Sequence, residues 1–235
     1  TDYEGDTSEY PSHLDPFNSP RFMGLHVADR VDTPLHLIRL FVEDTDAMDV
    51  PEVGTRGVVV HDGILYDNVL IRPRGQTSLN WPKQSYKLDF NSDHHIPFLD
   101  DGDPQEELNL QSNYSDKSTM RRQLSWDVYK WAGVHSSIAM PVRLHLNGEF
   151  HSLATYSEQI DKRMLDRVGL DPQGALYKMF NTCISHWANV EKKTREFENN
   201  HDLRKLTEGI LEEDPELLRL FLMDALDIPA VLSYL

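Results

Sequence analysis

Short runs of apolar and β-branched residues fill the first half of the chain, and they predict β-strands. The predicted strands cover residues 35–43, 58–61, 64–72, 85–90, 108–110, 142–146 and 149–156. Two of the gaps between these runs are the dipeptides Asp62-Gly63 and Asn147-Gly148. Both are typical of two-residue hairpin turns, so the pattern predicts antiparallel hairpins at these points.

A helical period replaces the strand pattern at about residues 116–132. Apolar residues three or four apart form one stripe that we expect to face a core: Met120, Leu124, Val128 and Trp131. Ser115 or Asp116 can cap the start of this helix, and Gly133 can end it. Further helices are predicted over residues 159–167, 202–211, 215–226 and from Ile228 onward.

The order of these elements predicts an α+β fold with an antiparallel sheet. It is also the order of a kinase N-lobe followed by the start of a helical C-lobe. We expect an extended lead-in over residues 1–34, a β-rich region with one helix over 35–157, and a helical region over 158–235. The apolar run IPAVLSYL at the end has no polar tail, so we expect the chain to stop inside a helix.

The chain is strongly acidic, with 39 Asp and Glu against 23 Lys and Arg and a net charge of −16. This charge disfavours nucleic acid and anionic membranes as partners. It is compatible with a basic partner or with cations, although solubility alone explains it as well. The single cysteine, Cys183, excludes an intrachain disulfide, and the sequence shows no signal peptide or transmembrane run.

The segment most indicative of chemistry is RPRGQTSLNWPKQSYKLDF at residues 72–90. Gly75 to Ser78 follow a predicted strand, and backbone N–H groups and hydroxyls in such a loop can surround phosphate oxygens. Lys83 and Lys87 come next, and Lys87 lies within a predicted strand, which would hold its ammonium group in a fixed position. On these residues alone, an ordinary turn with solvated lysines is an equally good interpretation.

Four segments in order resemble the CotH (spore-coat protein H-like) kinase-like family. They are RGQTSLNWPKQSYKLDF, NLQSNYSDKSTMRRQLSWDVY, NGEFHSLATYSEQIDKRML and ALYKMF, which together cover roughly residues 56–190. The resemblance implies a kinase-like fold that transfers the γ-phosphate of ATP to Ser or Thr of a protein substrate, with Mg²⁺ or Mn²⁺. It also implies the nucleotide-binding residues Arg74, Gly75, Thr77, Ser78, Lys87 (or Lys83) and, near the base, Glu158.

In other kinases the phosphate-binding lysine pairs with an acid of the following helix. The only acidic residues of the predicted helix are Asp116 and Asp127. Asp116 can equally cap the helix. Arg121 and Arg122 at the helix start could bind phosphate or be solvated. In the family, the catalytic and metal-binding aspartates follow a helix similar to the last one here. We therefore expect them beyond residue 235, and we expect no catalysis from this polypeptide alone.

The resemblance to this family also implies a location outside the cell or in the cell envelope. The alternative hypothesis is a non-catalytic structural or partner-binding module with the same fold. A carbohydrate-binding domain that uses Trp126, Trp131 and Trp187 is a third. Three other groups of residues are better explained by ordinary structure than by a metal or catalytic site. They are His94-His95, the acidic stretch 98–107, and Cys183 with His186.

Overall fold

A computed structural model describes residues 30–51, 53–98, 104–180 and 190–235, and of Thr77 the backbone only. Most of the predicted lead-in, the acidic residues 99–103, Cys183, His186 and Trp187 therefore lie outside the described residues. The described chain divides into two compact units. The first contains residues 30–124 and 138–159, and the second contains 125–137 and 160–235.

Nine strands are described in the first unit, of which seven match the predicted runs and two, of two residues each, were not predicted. They are β1 (His36–Val42), β2 (Thr55–His61), β3 (Ile64–Arg74), β4 (Ser85–Asp89), β5 (Ile96–Pro97), β6 (Pro104–Gln105), β7 (Glu107–Gln111), β8 (Ala139–Leu146) and β9 (Glu149–Ser157). β5 and β6 form a separate ladder of two strands. The other seven form a closed barrel in the order β1-β2-β3-β4-β7-β9-β8.

The barrel is closed by a parallel pairing of β1 with β8, in which Ile38 lies opposite Leu144. The predicted antiparallel N-lobe sheet is therefore wrong, although the remaining pairings of the barrel are antiparallel. Asn147 extends the closure: its backbone N–H donates to Leu40 O at 2.8 Å, and its side-chain amide bonds both polar backbone groups of Val42. Hairpin turns indicate which consecutive strands pair, and they carry no information on a pairing about a hundred residues apart.

Both predicted hairpin turns are confirmed. Asp62 and Gly63 have φ of 49° and 82°, and Asn147 and Gly148 have φ of 50° and 93°. A two-residue turn of type I′ requires positive φ at both positions, which Asn, Asp and Gly adopt most easily. The hairpins β2-β3 and β8-β9 thus follow directly from local sequence.

The core is the barrel interior. Alternate residues of the strands point inward and are almost fully buried, among them Ile38, Leu40, Val59, Ile71, Leu88, Leu108, Val142 and Leu144. Burying one such side chain stabilises the fold by roughly 1.5–3 kcal/mol. Because side chains alternate across a strand, the neighbours of Leu88 and Leu108 point to the outer surface. These outward positions include Lys87, Asp89 and Glu107.

The first unit also contains helix α1 (Thr45–Met48), a 3₁₀ turn (Thr77–Asn80) and the first residues of α2 (Arg121–Trp131). The prediction that one stripe of α2 faces a core is wrong. Its members are exposed, by 48% at Met120 and Leu124, 57% at Val128 and 78% at Trp131. Helical periodicity predicts an apolar face, whereas the burial of that face depends on a surface that covers it.

The second unit confirms the predicted helices as α3 (Lys162–Arg167), α4 (His201–Ile210), α5 (Pro215–Ala225) and α6 (Ile228–Tyr234). Asp161, Asp214 and Asp227 cap α3, α5 and α6 by accepting backbone N–H bonds. A ladder of two short strands, β10 (Tyr177–Met179) and β11 (Val190–Lys192), was not predicted, because three residues are too few to show a period. Across the described segments, no helix has the length and apolarity needed to cross a membrane.

Candidate nucleotide-phosphate site

The site of interest is built on the outer face of the barrel, where β3, β4 and β7 lie side by side. Lys87 on β4 donates to Glu107 Oε1 on β7 at 2.6 Å, and its Nζ lies 3.3 Å from Asp89 Oδ1. The register places Asp89 opposite Glu107, so the three charged groups face outward together. Lys87 is 18% exposed, and its ammonium group is held in place on both sides.

A second ion pair continues this row of charges onto β3. Arg72 Nε donates to Asp89 Oδ2 at 2.8 Å, and Arg72 lies opposite Lys87 in the strand register. Asp89 therefore bridges two cations, and Glu107 holds the second of them. Such a network fixes long side chains on rigid strands, and this lowers the entropy that they lose when they bind a ligand.

Two arginines next to this row, Arg74 and Arg122, are close enough to act on each other electrostatically. Burial and the neighbouring Arg122 lower the pKa of Arg74 to about 10, while Glu107 acts in the opposite direction. Loss of solvent likewise lowers the pKa of Arg122. The described residues provide no hydrogen-bond acceptor for the Arg74 guanidinium. Two desolvated guanidinium groups in proximity can bind an anion, and phosphate fits their planar donor geometry.

We define the cationic cluster as Arg72, Arg74, Lys87 and Arg122 with the carboxylates Asp89 and Glu107. Four cations thus face two anions on a chain whose net charge is −16. The structure also distinguishes the two adjacent arginines of α2. Arg122 lies beside Arg74, whereas the exposed Arg121 has its Nε 3.6 Å from Asp116 Oδ1.

The glycine loop begins where β3 ends, directly after Arg74. Gly75 has φ of 132°, and a β-carbon there would lie 1.9 Å from the Ser78 hydroxyl oxygen. The positive φ favours glycine here, and a β-carbon would force the Ser78 hydroxyl to turn away. Gln84 fixes the far side of the loop by donating to Leu79 O at 2.8 Å. Gly75 directly follows Arg74 of the cationic cluster in sequence, and the role of Gly75, Thr77 and Ser78 toward phosphate stays a prediction.

The predicted helix acids are not the partners of Lys87 in the first unit. Asp116 caps α2: its carboxylate accepts from Arg121 N at 3.0 Å and from the Ser118 hydroxyl at 2.7 Å. The Ser118 hydrogen bond contributes most to lowering the pKa of Asp116. Asp127 belongs to the second unit, where no ion pair connects it with a described residue. The acid that pairs with Lys87 is Glu107, which sequence reasoning missed because a helix was expected to supply it.

Lys83, the alternative phosphate ligand, lies elsewhere. It lines a cavity of about 330 Å³ together with Lys117, Asn113 and His151, and Lys87 is not part of that lining. Burial and the positive charge of Lys117 lower the pKa of Lys83. Burial, and to a smaller extent the positive charge of Lys83, lower the pKa of His151. Lys83 and Lys87 thus have different surroundings, and which of them contacts phosphate stays a prediction.

Glu158, predicted to lie near the nucleotide base, is buried after the end of β9. Its carboxylate accepts from Ile138 N at 2.8 Å, and its own N–H donates to Ile138 O at 2.9 Å. This pair of bonds joins the end of β9 to the residue before β8. Glu158 therefore has a structural partner at the barrel end, and its predicted role toward a base stays a prediction.

Comparison with known proteins identifies the family of the chain. The family described as CotH kinase protein matches residues 71–235, well over half of the chain. The match begins within β3 and includes the glycine loop, the cationic cluster and the helices α2 to α6. No curated protein matches the chain.

Proposed function

Because the chain belongs to the CotH kinase protein family, we propose that its first unit binds the phosphates of ATP for transfer to a protein substrate. The acceptor in this proposal is a serine or threonine hydroxyl. The observation that supports the proposal is that Arg122 and Glu107 both act on the desolvated Arg74, while Glu107 also holds the ammonium group of Lys87. The phosphate oxygens of a triphosphate can accept charge-assisted hydrogen bonds from three such cations at once.

Each residue of the cationic cluster has a distinct role in this proposal. Arg74 and Arg122 donate forked hydrogen bonds to phosphate oxygens, and Lys87 supplies a point charge. Glu107 and Asp89 position Lys87, as the helix acid does in other kinases. The backbone N–H groups after Gly75 cover the phosphates. ATP supplies the γ-phosphoryl group, which the substrate hydroxyl oxygen attacks as the bond to the β-phosphate oxygen breaks.

A divalent metal is a poor fit to the carboxylates of this cluster. Asp89 and Glu107 are the acids closest to the proposed phosphate position, and both already neutralise cations at 3.3 Å or less. Mg²⁺ and Mn²⁺ prefer several oxygen ligands from groups that are not otherwise engaged. We therefore assign no metal ligand of the kinase reaction to the cationic cluster, and no step of the proposal passes through one.

The test is thermal unfolding of the chain with and without millimolar ATP and Mg²⁺, combined with binding of a fluorescent ATP analogue. A ligand at about 100 times its dissociation constant adds about 2.7 kcal/mol, which shifts the unfolding midpoint by several degrees. We expect this shift in the native chain. Arg122→Ala and Lys87→Ala should each reduce it by at least half while leaving the unliganded midpoint close to the native value.

Arg121→Ala is the matched control, because it removes an identical side chain from the adjacent helical position. It should bind ATP as the native chain does, since the Arg121 side chain is 78% exposed, whereas Arg122 is desolvated next to Arg74. Equal losses in the Arg121 and Arg122 variants would contradict the assignment of the cluster. No response of the native chain to ATP would favour the non-catalytic partner-binding module instead.

A further inference from the structure

Two histidines and an aspartate meet at one end of the barrel, away from the residues assigned to ATP. His36 is the first residue of β1, His61 is the last residue of β2, and Asp62 opens the turn into β3. His61 lies opposite Ile38 in the β1-β2 register, so His36 lies on the same face of the sheet two residues away. One ligand atom from each of the three residues falls within 4.8 Å of the other two.

The hydrogen bonding of His61 orients one ring nitrogen toward Asp62. Its Nδ1 lies 3.2 Å from Leu37 O, a backbone oxygen that can only accept, so Nδ1 carries the proton. Nε2 of the neutral ring then presents a lone pair, and it lies 3.4 Å from Asp62 Oδ2. Two acceptor atoms therefore face each other, and a cation between them would satisfy both. A backbone carbonyl that orients a histidine in this way is typical of metal-binding histidines.

The separation of these two atoms agrees with the coordination geometry of zinc. Zn²⁺ binds imidazole nitrogen and carboxylate oxygen at about 2.0–2.2 Å, so two ligands of a tetrahedral ion lie about 3.3–3.5 Å apart. The distance from His61 Nε2 to Asp62 Oδ2 is 3.4 Å. His36 completes a set of three after a side-chain movement of about 1 Å, because at most 4.8 Å separates its ligand atom from the others.

The surroundings hold the two imidazole rings in place. Phe98 packs against both of them, with ring centroids 5.1 Å from His36 and 5.1 Å from His61. His61 is 3% exposed, whereas the side chain of Asp62 is 74% exposed. One side of the cluster is therefore dry and rigid, and the other is open to solvent. A site with three protein ligands and a fourth position for water has this arrangement.

We propose that His36, His61 through Nε2, and Asp62 form a binding site for Zn²⁺ that links β1, β2 and the β2-β3 turn. Imidazole ligands favour zinc over Mg²⁺, so the site differs in ligand chemistry from the metal that accompanies ATP. The fourth position is occupied by water. The bound ion connects two strands and the turn, so it stabilises this end of the barrel.

Sequence reasoning gave no indication of this site. The two histidines are separated by 24 intervening residues, which matches no ligand spacing, and Asp62 is fully explained by its turn. The competing interpretations are packing of the histidine rings against Phe98, and an ion pair between a protonated His61 and Asp62. Neither involves a metal, so a metal titration distinguishes them from the proposal.

The experiment uses the full chain after treatment with EDTA and removal of the chelator. Zn²⁺ is titrated in competition with a chromophoric zinc indicator, and Co²⁺ is titrated while its visible spectrum is recorded. We expect one tight site per chain, an intense Co²⁺ spectrum of the tetrahedral type, and a higher unfolding midpoint with Zn²⁺. Asp62→Asn keeps a residue suited to the turn and should weaken zinc binding at least about ten-fold.

Glu149→Gln is the matched control, since Glu149 is an exposed acid that follows the other type I′ turn. It should bind zinc as the native chain does. His36→Asn tests the third ligand and should convert the Co²⁺ spectrum to the weak octahedral type. Zinc binding of the native chain that is weak, or that Asp62→Asn leaves unchanged, would overturn the proposal and favour histidine packing or the ion pair.

Discussion

Gly75 shows how a single residue shapes the glycine loop. Its φ of 132° lies in a region that side chains with a β-carbon rarely adopt, and the Ser78 hydroxyl occupies the space of the missing side chain. Gly148 also has a positive φ, of 93°, but no atom lies within 4 Å of the position that its β-carbon would take. A comparison of the two glycines therefore distinguishes backbone strain, which is present at both, from steric overlap, which is present only at Gly75.

Gly75→Ala should lower the free energy of unfolding by roughly 2–3 kcal/mol, because strain and overlap add. Gly148→Ala should lower it by about 1–2 kcal/mol through strain alone. Urea denaturation followed by circular dichroism measures both. In a Ser78→Ala background the effect of Gly75→Ala should shrink toward that of Gly148→Ala, since the overlapping hydroxyl is gone. An unchanged effect in that background contradicts the proposed overlap.

The β8-β9 hairpin shows at the scale of elements how a turn closes the barrel. Asn147 adopts the positive φ that the turn requires, and its side-chain amide exchanges two hydrogen bonds with Val42 at 2.9 and 3.0 Å. These bonds continue the parallel pairing of β1 with β8 beyond the last paired residues. Asp62 occupies the same turn position in the β2-β3 hairpin with φ of 49°, next to strands that pair as ordinary neighbours.

Asn147→Gly should destabilise the chain by about 1–3 kcal/mol, because two hydrogen bonds at the barrel closure are lost while the turn is retained. Asp62→Gly makes the same kind of change at the other hairpin and should have an effect of less than about 1 kcal/mol when EDTA removes bound metal. Chemical denaturation of both variants provides the comparison. Equal destabilisation by the two substitutions would mean that the amide of Asn147 does not contribute to closure.

At the scale of the whole molecule, the closed barrel buries ionisable phenols. Burial is the main cause that raises the pKa of Tyr66 to about 12, and the Asp62 carboxylate adds to it. Burial also raises the pKa of Tyr86, whose hydroxyl donates to Asp49 Oδ1 at 2.6 Å. The unfolded chain titrates its tyrosines near pH 10. Above that pH the unfolded state therefore binds fewer protons than the folded state, and stability falls.

We expect the tyrosine contribution to stability to be complete below about pH 10 and to be lost for Tyr66 between about pH 10 and 12. Urea denaturation at about pH 9 and pH 11 measures the change. Tyr66→Phe should reduce the difference between the two values, because phenylalanine has no proton to lose. Lysine and arginine also titrate in this range, so the test is the difference between the native chain and the variant. An identical pH dependence of both would exclude Tyr66 as a source of alkaline instability.

The charge distribution is a second property of the whole molecule. A chain with net charge −16 repels ATP at a distance, whereas the cationic cluster attracts it at close range. The Debye length is about 8 Å at physiological ionic strength, so salt screens the distant acids more than it screens the cluster. The composition alone argued against nucleic acid and anionic membranes as partners. The fold reverses that argument locally by gathering four cations on two strands and one helix start.

The sequence by itself determined the local structure of this protein. Alternation and helical periodicity located all seven barrel strands and the helices of the second unit, and the dipeptides Asp62-Gly63 and Asn147-Gly148 determined two hairpins. These features depend on neighbouring residues, and they are therefore visible in a linear pattern. The motif RGQTSLNWPKQSYKLDF likewise indicated the family and the position of the glycine loop.

Tertiary structure alone decided the closure of the barrel and the composition of both sites. The parallel pairing of β1 with β8, the partner Glu107 of Lys87, the approach of Arg122 to Arg74 and the meeting of His36 with His61 all join residues distant in the chain. Such contacts depend on how strands are ordered around the barrel and on their register. A hydrophobic pattern specifies which face of a strand is buried, and it does not specify which strand lies beside it.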